Sequence, residues 1–492
     1  MSAEPGPDVT ADVLATPAAG PAAVRGGTLR IGAYLVGALL SAGSAALLFR
    51  HLGVVDTGRY VTVLSLVAII GGVSDLGLTA VGVRESAVRP AVERSQLLAD
   101  LLGLRLLLTG AGLLIMLVVA AIGYSATIVA GVALAGVGLL VLTAQDNLVV
   151  PLVAELKLGW VAALELLRGV LSVAIIAVLV LVGARLLPFV AISIPVGLCT
   201  LPLAARLVRG RRSLRPAFAW RRWRPLVMSV LPFSAAFAAA TIYFRVAIIM
   251  VSQLSDAHQL GLFSASFRMI EVLTVVPGLL AGAALPIFSR AASNDHERLG
   301  YALRRVFEVS LILGVWLAVT IAVGAHLAID IIAGPGFGAA AEVLAVQGIA
   351  LAGGFVSVVW ANAMLSLAMH RQILLLNVTA LLTSAALLCV LVPLDGARGA
   401  AIGAAVAEVG AAVFSAVIVG RRHPRLRPSL RVLPRVALAA ALGLAPLAVG
   451  GVPVIVRLAA SAALFAATLL LTGALPPELR ALIGRAHEDG AA

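Results

Sequence analysis

Apolar stretches of 18 to 28 residues recur from Leu29 to Gly473, and the short loops between them collect nearly all the arginines. A bilayer core about 30 Å thick is crossed by roughly 20 apolar residues in a helix. A helix satisfies its own backbone hydrogen bonds, as hydrocarbon demands. The sequence supplies about fourteen such spans and leaves no stretch for a soluble domain. Apolar residues fill 61% of 492 positions and charged residues only 12%, which excludes an ordinary soluble globular protein. The expected class is an all-α polytopic membrane protein.

A formal net charge of +13 would point a soluble protein toward nucleic acid, but its distribution argues otherwise. With a cytoplasmic N-terminus and alternating spans, 27 of the 36 Lys+Arg residues fall on the cytoplasmic side. Arg50, Arg59, Arg185, Arg398 and Arg457 fall outside, and Arg105, Arg168, Arg245 and Arg268 lie within spans. That asymmetry is the positive-inside pattern. It predicts a multi-pass protein of the cytoplasmic membrane with both termini cytoplasmic, basic loops that contact lipid headgroups, and no nucleic-acid partner. Cys199 and Cys389 both fall inside spans, so no disulfide framework or metal site is expected.

The span pattern divides the chain into a disordered cytoplasmic tail over 1–24, a six-helix lobe over 25–208 and a basic linker over 209–225. A second six-helix lobe follows over 226–420, then two extra helices over 421–474 and a tail over 475–492. The linker carries Trp220 and Trp223, which read as interfacial anchors. The two lobes share a pattern. Gly58-Arg59-Tyr60 opens an apolar span that ends at Arg84, and Gly261-Leu262-Phe263 opens one that ends at Arg290. The two openings are 203 residues apart in the sequence. Two parallel six-helix repeats are a recurrent transporter plan, with the substrate held between the halves.

The stretch Phe49–Ala87 resembles the opening of the polysaccharide-biosynthesis flippase family, of the O-antigen-flippase type. Arg50, Leu52, Gly53, Gly58, Tyr60, Asp75, Leu76, Gly77 and Arg84 stand at the matching places. In the second half the resemblance rests on Gly261–Ala265, on Pro277 and Pro286, and on the Gly334-Pro335-Gly336-Phe337-Gly338 turn. It covers about residues 25–420 and extends to a superfamily that includes lipid II flippases and multidrug extruders. It implies translocation of a lipid-linked oligosaccharide on a polyprenyl diphosphate, by alternating access between the lobes, for cell-surface polysaccharide or lipopolysaccharide synthesis. Glycosyltransferases or a polymerase of the same pathway are the implied protein partners. The sequence departs from the family after Arg245, where Val246-Ala247-Ile248-Ile249 stands in place of a nearby acidic residue.

Charges inside the bilayer cost roughly 2.5–3.5 kcal/mol each even on lenient scales, so each needs a partner or a wet cavity. Eight qualify: Asp75, Arg105, Glu165, Arg168, Arg245, Arg268, Glu271 and Glu408. Glu165 with Arg168, and Arg268 with Glu271, are three residues apart and share a helix face. Asp75 and Arg105 sit at matched depth on consecutive spans. These pairs either lock helices together or serve coupling. Arg245 has no acid near it in sequence. It either snorkels to the interface or, with Arg268, holds the anionic headgroup of the substrate, a task suited to a guanidinium. Glu408 reads either as the buried partner of Arg245 or as a protonatable coupling group. Pro277-Gly278 is the expected hinge, since proline removes a helix hydrogen bond.

No Gly-x-x-x-x-Gly-Lys-[Ser/Thr] motif, HExxH motif or nucleophile elbow occurs, so neither nucleotide-driven transport nor an enzyme is expected, and no cofactor. A cation-coupled multidrug exporter of the same superfamily and a non-transporting scaffold are the alternatives.

Overall fold

In the computed structural model, residues 19–208, 215–294 and 296–474 are described. The tail up to residue 18, the linker stretch 209–214 and the tail from 475 lie outside the described residues. Residues 19–24, expected in the tail, already belong to the first helix. The chain is α-helical: α1 Ala19–Asp75, α2 Leu78–Val88, α3 Ala91–Gly123, α4 Ala126–Ala154, α5 Leu158–Leu181, α6 Leu186–Val190, α7 Ser193–Leu207, α8 Trp220–Leu254, α9 Ala257–Leu273, α10 Val275–Asn294, α11 His296–Ile332, α12 Ala340–Ser366, α13 His370–Arg422, α14 Leu433–Leu444 and α15 Val454–Leu471.

Twelve helical stretches among the described residues are long and apolar enough to cross a membrane, against the expected fourteen or so. The difference lies in two stretches of 53 residues, Val36–Val88 and His370–Arg422. At ~1.5 Å per residue each is far longer than one crossing. Each also breaks within its length: α1 at Gly53 (φ 70°, ψ −179°), and α13 at Asp395 and Gly396. Dividing both stretches at these points turns twelve into fourteen. The expected ten-residue outer loop around Arg50–Arg59 is thus a single non-helical glycine, in a conformation that side chains other than glycine's resist. Two expected spans are also interrupted. The stretch 60–83 breaks at Leu76-Gly77, both with positive φ, and 187–208 divides into α6 and α7.

The helices group into two compact units. The first contains residues up to Ser44 and from Ile70 to Leu231; the second contains Ala45–Ile69 and everything from Pro232. In the first unit α4 packs against α3, α7 and α2. Leu148 and Leu152 of α4 bury against Leu164 of α5 and Ala204 of α7. Buried amides tie the same helices: Asn147 donates to the Leu98 carbonyl at 3.0 Å, and Thr200 donates to Gln145 at 2.6 Å. Trp223, expected at the interface, is instead core, packed with Leu78, Leu97, Leu101 and Leu104. Trp220 is exposed.

In the second unit α12 lies between α11 and α13, with Trp360 fully buried beside Phe288 and Phe307. Val436, Ala439, Phe465 and Leu469 of α14 and α15 join that core, so the two extra C-terminal helices dock onto the bundle. Residues 45–69 also pack here. Arg50 donates to the carbonyls of Asp330 (2.9 Å) and Ile331 (2.8 Å) at the C-terminal end of α11, where unpaired carbonyls attract a cation. The two matching openings meet. A Cβ on Gly58 would lie 2.9 Å from Leu260 Cγ, and one on Gly261 would overlap the Val54 carbonyl. The glycine in each motif therefore serves close backbone approach of one motif to the other.

Candidate functional site

In the second unit, α8 and α9 are joined by a two-residue turn. Asp256 caps α9 by accepting the Gln259 backbone N–H at 2.8 Å. This turn sets Arg245 of α8 beside the α9 face that carries Arg268 and Glu271. Glu271 divides its two oxygens: Oε1 accepts from Arg245 and Oε2 from Arg268, each at 2.5 Å. The guanidinium of Arg245 also lies over the Phe244 and Phe267 rings, 5.2 and 5.7 Å from their centroids, a favourable cation–π arrangement. Tyr60 of α1 lies within electrostatic reach of both Arg268 and Glu271. The cluster holds two guanidinium groups and one carboxylate, for a formal charge of +1. The Arg245 side chain is 17% exposed and that of Arg268 35%, so Arg268 is the more open to a ligand.

Beside the cluster is a cavity of about 260 Å³ walled by Phe244, Phe263 and Phe267, with Tyr243, Thr274, Gln347, Ser384 and Glu408 among its polar lining. Tyr243 donates its hydroxyl to Glu408 at 2.5 Å. The expectation that Glu408 is the partner of Arg245 is therefore corrected. Arg245 turns to Glu271, and Glu408 is held by a phenol. Nor does Arg245 reach away to the interface; it is paired within the bundle. The missing acid after Arg245 in the sequence is supplied from the next helix.

In the first unit Arg105 meets Asp75 at 2.9 Å, so matched depth did identify a pair. Thr79 donates to the same carboxylate oxygen at 2.6 Å. The other guanidinium nitrogens of Arg105, Nε and Nη1, are buried with no partner among the described residues. The Glu165–Arg168 pairing is corrected. Arg168 binds Asp146 of α4 at 2.8 Å, while Glu165 is exposed and forms no ion pair among the described residues. A shared helix face is a weaker constraint than a carboxylate one helix away at the same level. Asp146 was legible as the middle of Gln145-Asp146-Asn147, a polar run inside an apolar span. A third pair, Asp100 with Arg222 (2.9 Å), was missed because both lie near span ends. The Asp100 carboxylate holds the Arg222 guanidinium above its usual pKa.

The expected hinge at Pro277-Gly278 lies just after a break in the helix. Helix α9 stops at Leu273 and α10 starts at Val275, with Thr274 between them. The proline ring clashes with the carbonyl four residues earlier, and that residue is Leu273, where the helix ends.

A family model for polysaccharide biosynthesis proteins matches residues 35–342. The chain belongs to the polysaccharide biosynthesis protein family. The match includes both glycine motifs, the Asp75–Arg105 pair and the Arg245–Glu271–Arg268 cluster. None of the curated proteins compared with the chain matches it. Among solved structures it is similar to lipid II flippase MurJ in an inward closed conformation, with TM-score 0.76, 11% identity, and 90% of this chain and 98% of that one covered. It is also similar to an inward-facing multidrug resistance MATE family transporter of the MOP superfamily, with TM-score 0.62, 13% identity, and 81% and 98% covered. The outward-facing form of a MATE family transporter matches with TM-score 0.55, 14% identity, and 80% and 96% covered. These likenesses establish the fold alone, that of a multi-pass membrane protein.

Proposed function

We propose that this member of the family is a flippase that carries a lipid-linked oligosaccharide, on a polyprenyl diphosphate carrier, from the inner to the outer leaflet. The supporting observation is the Arg245–Glu271–Arg268 cluster. Two guanidinium groups share one carboxylate inside a membrane-spanning bundle and keep an excess positive charge there. A diphosphate entering a low-dielectric site needs a fixed cation, and the bidentate guanidinium contact is the strong form of that match. Arg268 makes first contact because it is the more exposed, and Arg245 strengthens the field while the aromatic rings hold it in place. Alternating access between the two lobes completes the cycle, and Asp75–Arg105 and Glu408 are the proposed coupling groups.

A second reading, a cation-coupled exporter, is favoured by one observation: the aromatic cavity that contains Glu408 is the size and polarity of a site for a small organic cation. One experiment separates the two. In cells lacking the chromosomal copy, Arg245→Ala at normal expression is expected to leave surface polysaccharide absent, with lipid-linked intermediate accumulating in the inner leaflet. Arg245→Lys is expected to restore it in part, because a lysine supplies charge without the planar fork. Full surface polysaccharide with Arg245→Ala would remove the headgroup role, and full surface polysaccharide in the cells lacking the protein altogether would favour the exporter.

A further inference from the structure

Outside the transport site, the second unit carries an apolar groove of about 670 Å³ between α11, α12 and α13. Its walls include Ile349, Trp360 and Val413, and Leu430 and Leu433 close one end. Lipid-facing apolar surface is ordinary in a membrane protein. Two features set this groove apart. Its volume is enough to take an acyl chain. Arg421 and Arg427 stand at one end, with no carboxylate among the lining residues.

The arginines are placed by the fold. Arg421 lies in the last turn of α13 and is exposed. The chain then turns back through Pro424–Leu426, and Arg427 donates from Nε to the Gly420 carbonyl at 3.2 Å. That bond ties Arg427, which is exposed, to the residue before Arg421. From Gly420 to Val409 the groove follows α13 for about 16 Å at ~1.5 Å per residue. One leaflet of hydrocarbon is about half of a 30 Å core, so the length is that of one acyl chain.

We propose that this groove is a binding site for an anionic phospholipid of the leaflet at the Arg421 end. Its phosphate sits between Arg421 and Arg427, and an acyl chain fills the channel toward Ile349. The proposal does not depend on what the protein transports. Charge complementarity selects an anionic phospholipid over a zwitterionic one, since an amine headgroup would meet two arginines and no acid.

The test is native mass spectrometry of the full-length protein released from detergent after titration with phosphatidylglycerol or phosphatidylcholine of identical chains. Wild type is expected to retain phosphatidylglycerol in preference, on the order of tenfold, as two arginines near a headgroup would give. Arg421→Gln with Arg427→Gln should bring that preference close to one. Val413→Trp, at a lipid-facing position where a large ring is tolerated, should block the channel and lower retention of both lipids. Should the double variant fail to fold by thermal midpoint, Val413→Trp decides alone. Equal retention of the two lipids by wild type, or retention unchanged in Val413→Trp, overturns the proposal. So does displacement of phosphatidylglycerol by equimolar polyprenyl phosphate, which would assign the groove to an isoprenoid chain.

Discussion

Neutralising Asp75 tests the physics of the first unit most sharply. Arg105 is 8% exposed in its side chain and makes one ion pair, to Asp75, with its other two guanidinium nitrogens unpartnered among the described residues. Asp75→Asn keeps a carbonyl oxygen for Arg105 but removes its one counter-charge among the described residues. Breaking a buried pair from one side costs about 3–5 kcal/mol. The retained hydrogen bond places this substitution at the low end, about 3 kcal/mol, or roughly 150-fold in the folding equilibrium. The converse change, Arg105→Gln, is milder. Asp75 is 22% exposed and still accepts from Thr79, so the expected loss is about 1–2 kcal/mol. The double variant carries no unmatched charge and should cost less than the sum of the singles by about 2 kcal/mol, a coupling typical of contacting residues. Equilibrium unfolding in mixed micelles, followed by tryptophan fluorescence, gives all three values. Asp75→Asn within about 0.5 kcal/mol of wild type, or strict additivity in the double variant, would refute the reasoning.

Gly261→Ala should lower stability by about 1–3 kcal/mol, as overpacking does, because its Cβ would overlap the Val54 carbonyl. Gly278→Ala, which meets open space, should be neutral or slightly stabilising, as Gly→Ala within a helix usually is. Thermal midpoints in detergent compare them, and equal shifts would contradict the close approach of the two motifs. For topology, Ser255→Cys and Ser429→Cys in a background lacking Cys199 and Cys389 are treated in intact cells with an impermeant thiol reagent. The arginine asymmetry predicts labelling at position 255 and protection at 429, and the reverse pattern would invert the orientation.

Much of this architecture was legible because it follows from a single requirement, about 20 apolar residues per crossing. That requirement located the α-helical spans and put Asp75 and Arg105 at one depth. What it left open was rotation about each helix axis. Glu165 and Arg168 share a face by spacing, yet Arg168 points to Asp146, a choice set by how α4 packs on α5. Arg245 looked solitary because its partner is 26 residues on, across the Asp256 turn. Trp223 read as an anchor because tryptophan beside arginines so often lies at the interface, and only the packing of α8 on α3 reveals it as core. Short breaks were also hidden. One glycine at position 53 does what ten loop residues were expected to do, because a positive φ redirects a helix without lengthening it. The glycine pair at 58 and 261 was legible as a repeat, but their contact with each other needed three dimensions.

The most direct test of transport is reconstitution. Purified protein is placed in vesicles that carry a fluorescent polyprenyl diphosphate oligosaccharide, and an impermeant reductant quenches the outer leaflet. The account predicts that wild-type vesicles lose nearly all fluorescence as lipid crosses. Arg245→Ala vesicles, at the same protein density, should stop near half, as protein-free vesicles do. Loss that halts near half with wild type, or proceeds equally with Arg245→Ala, would contradict the assignment of this cluster to flipping.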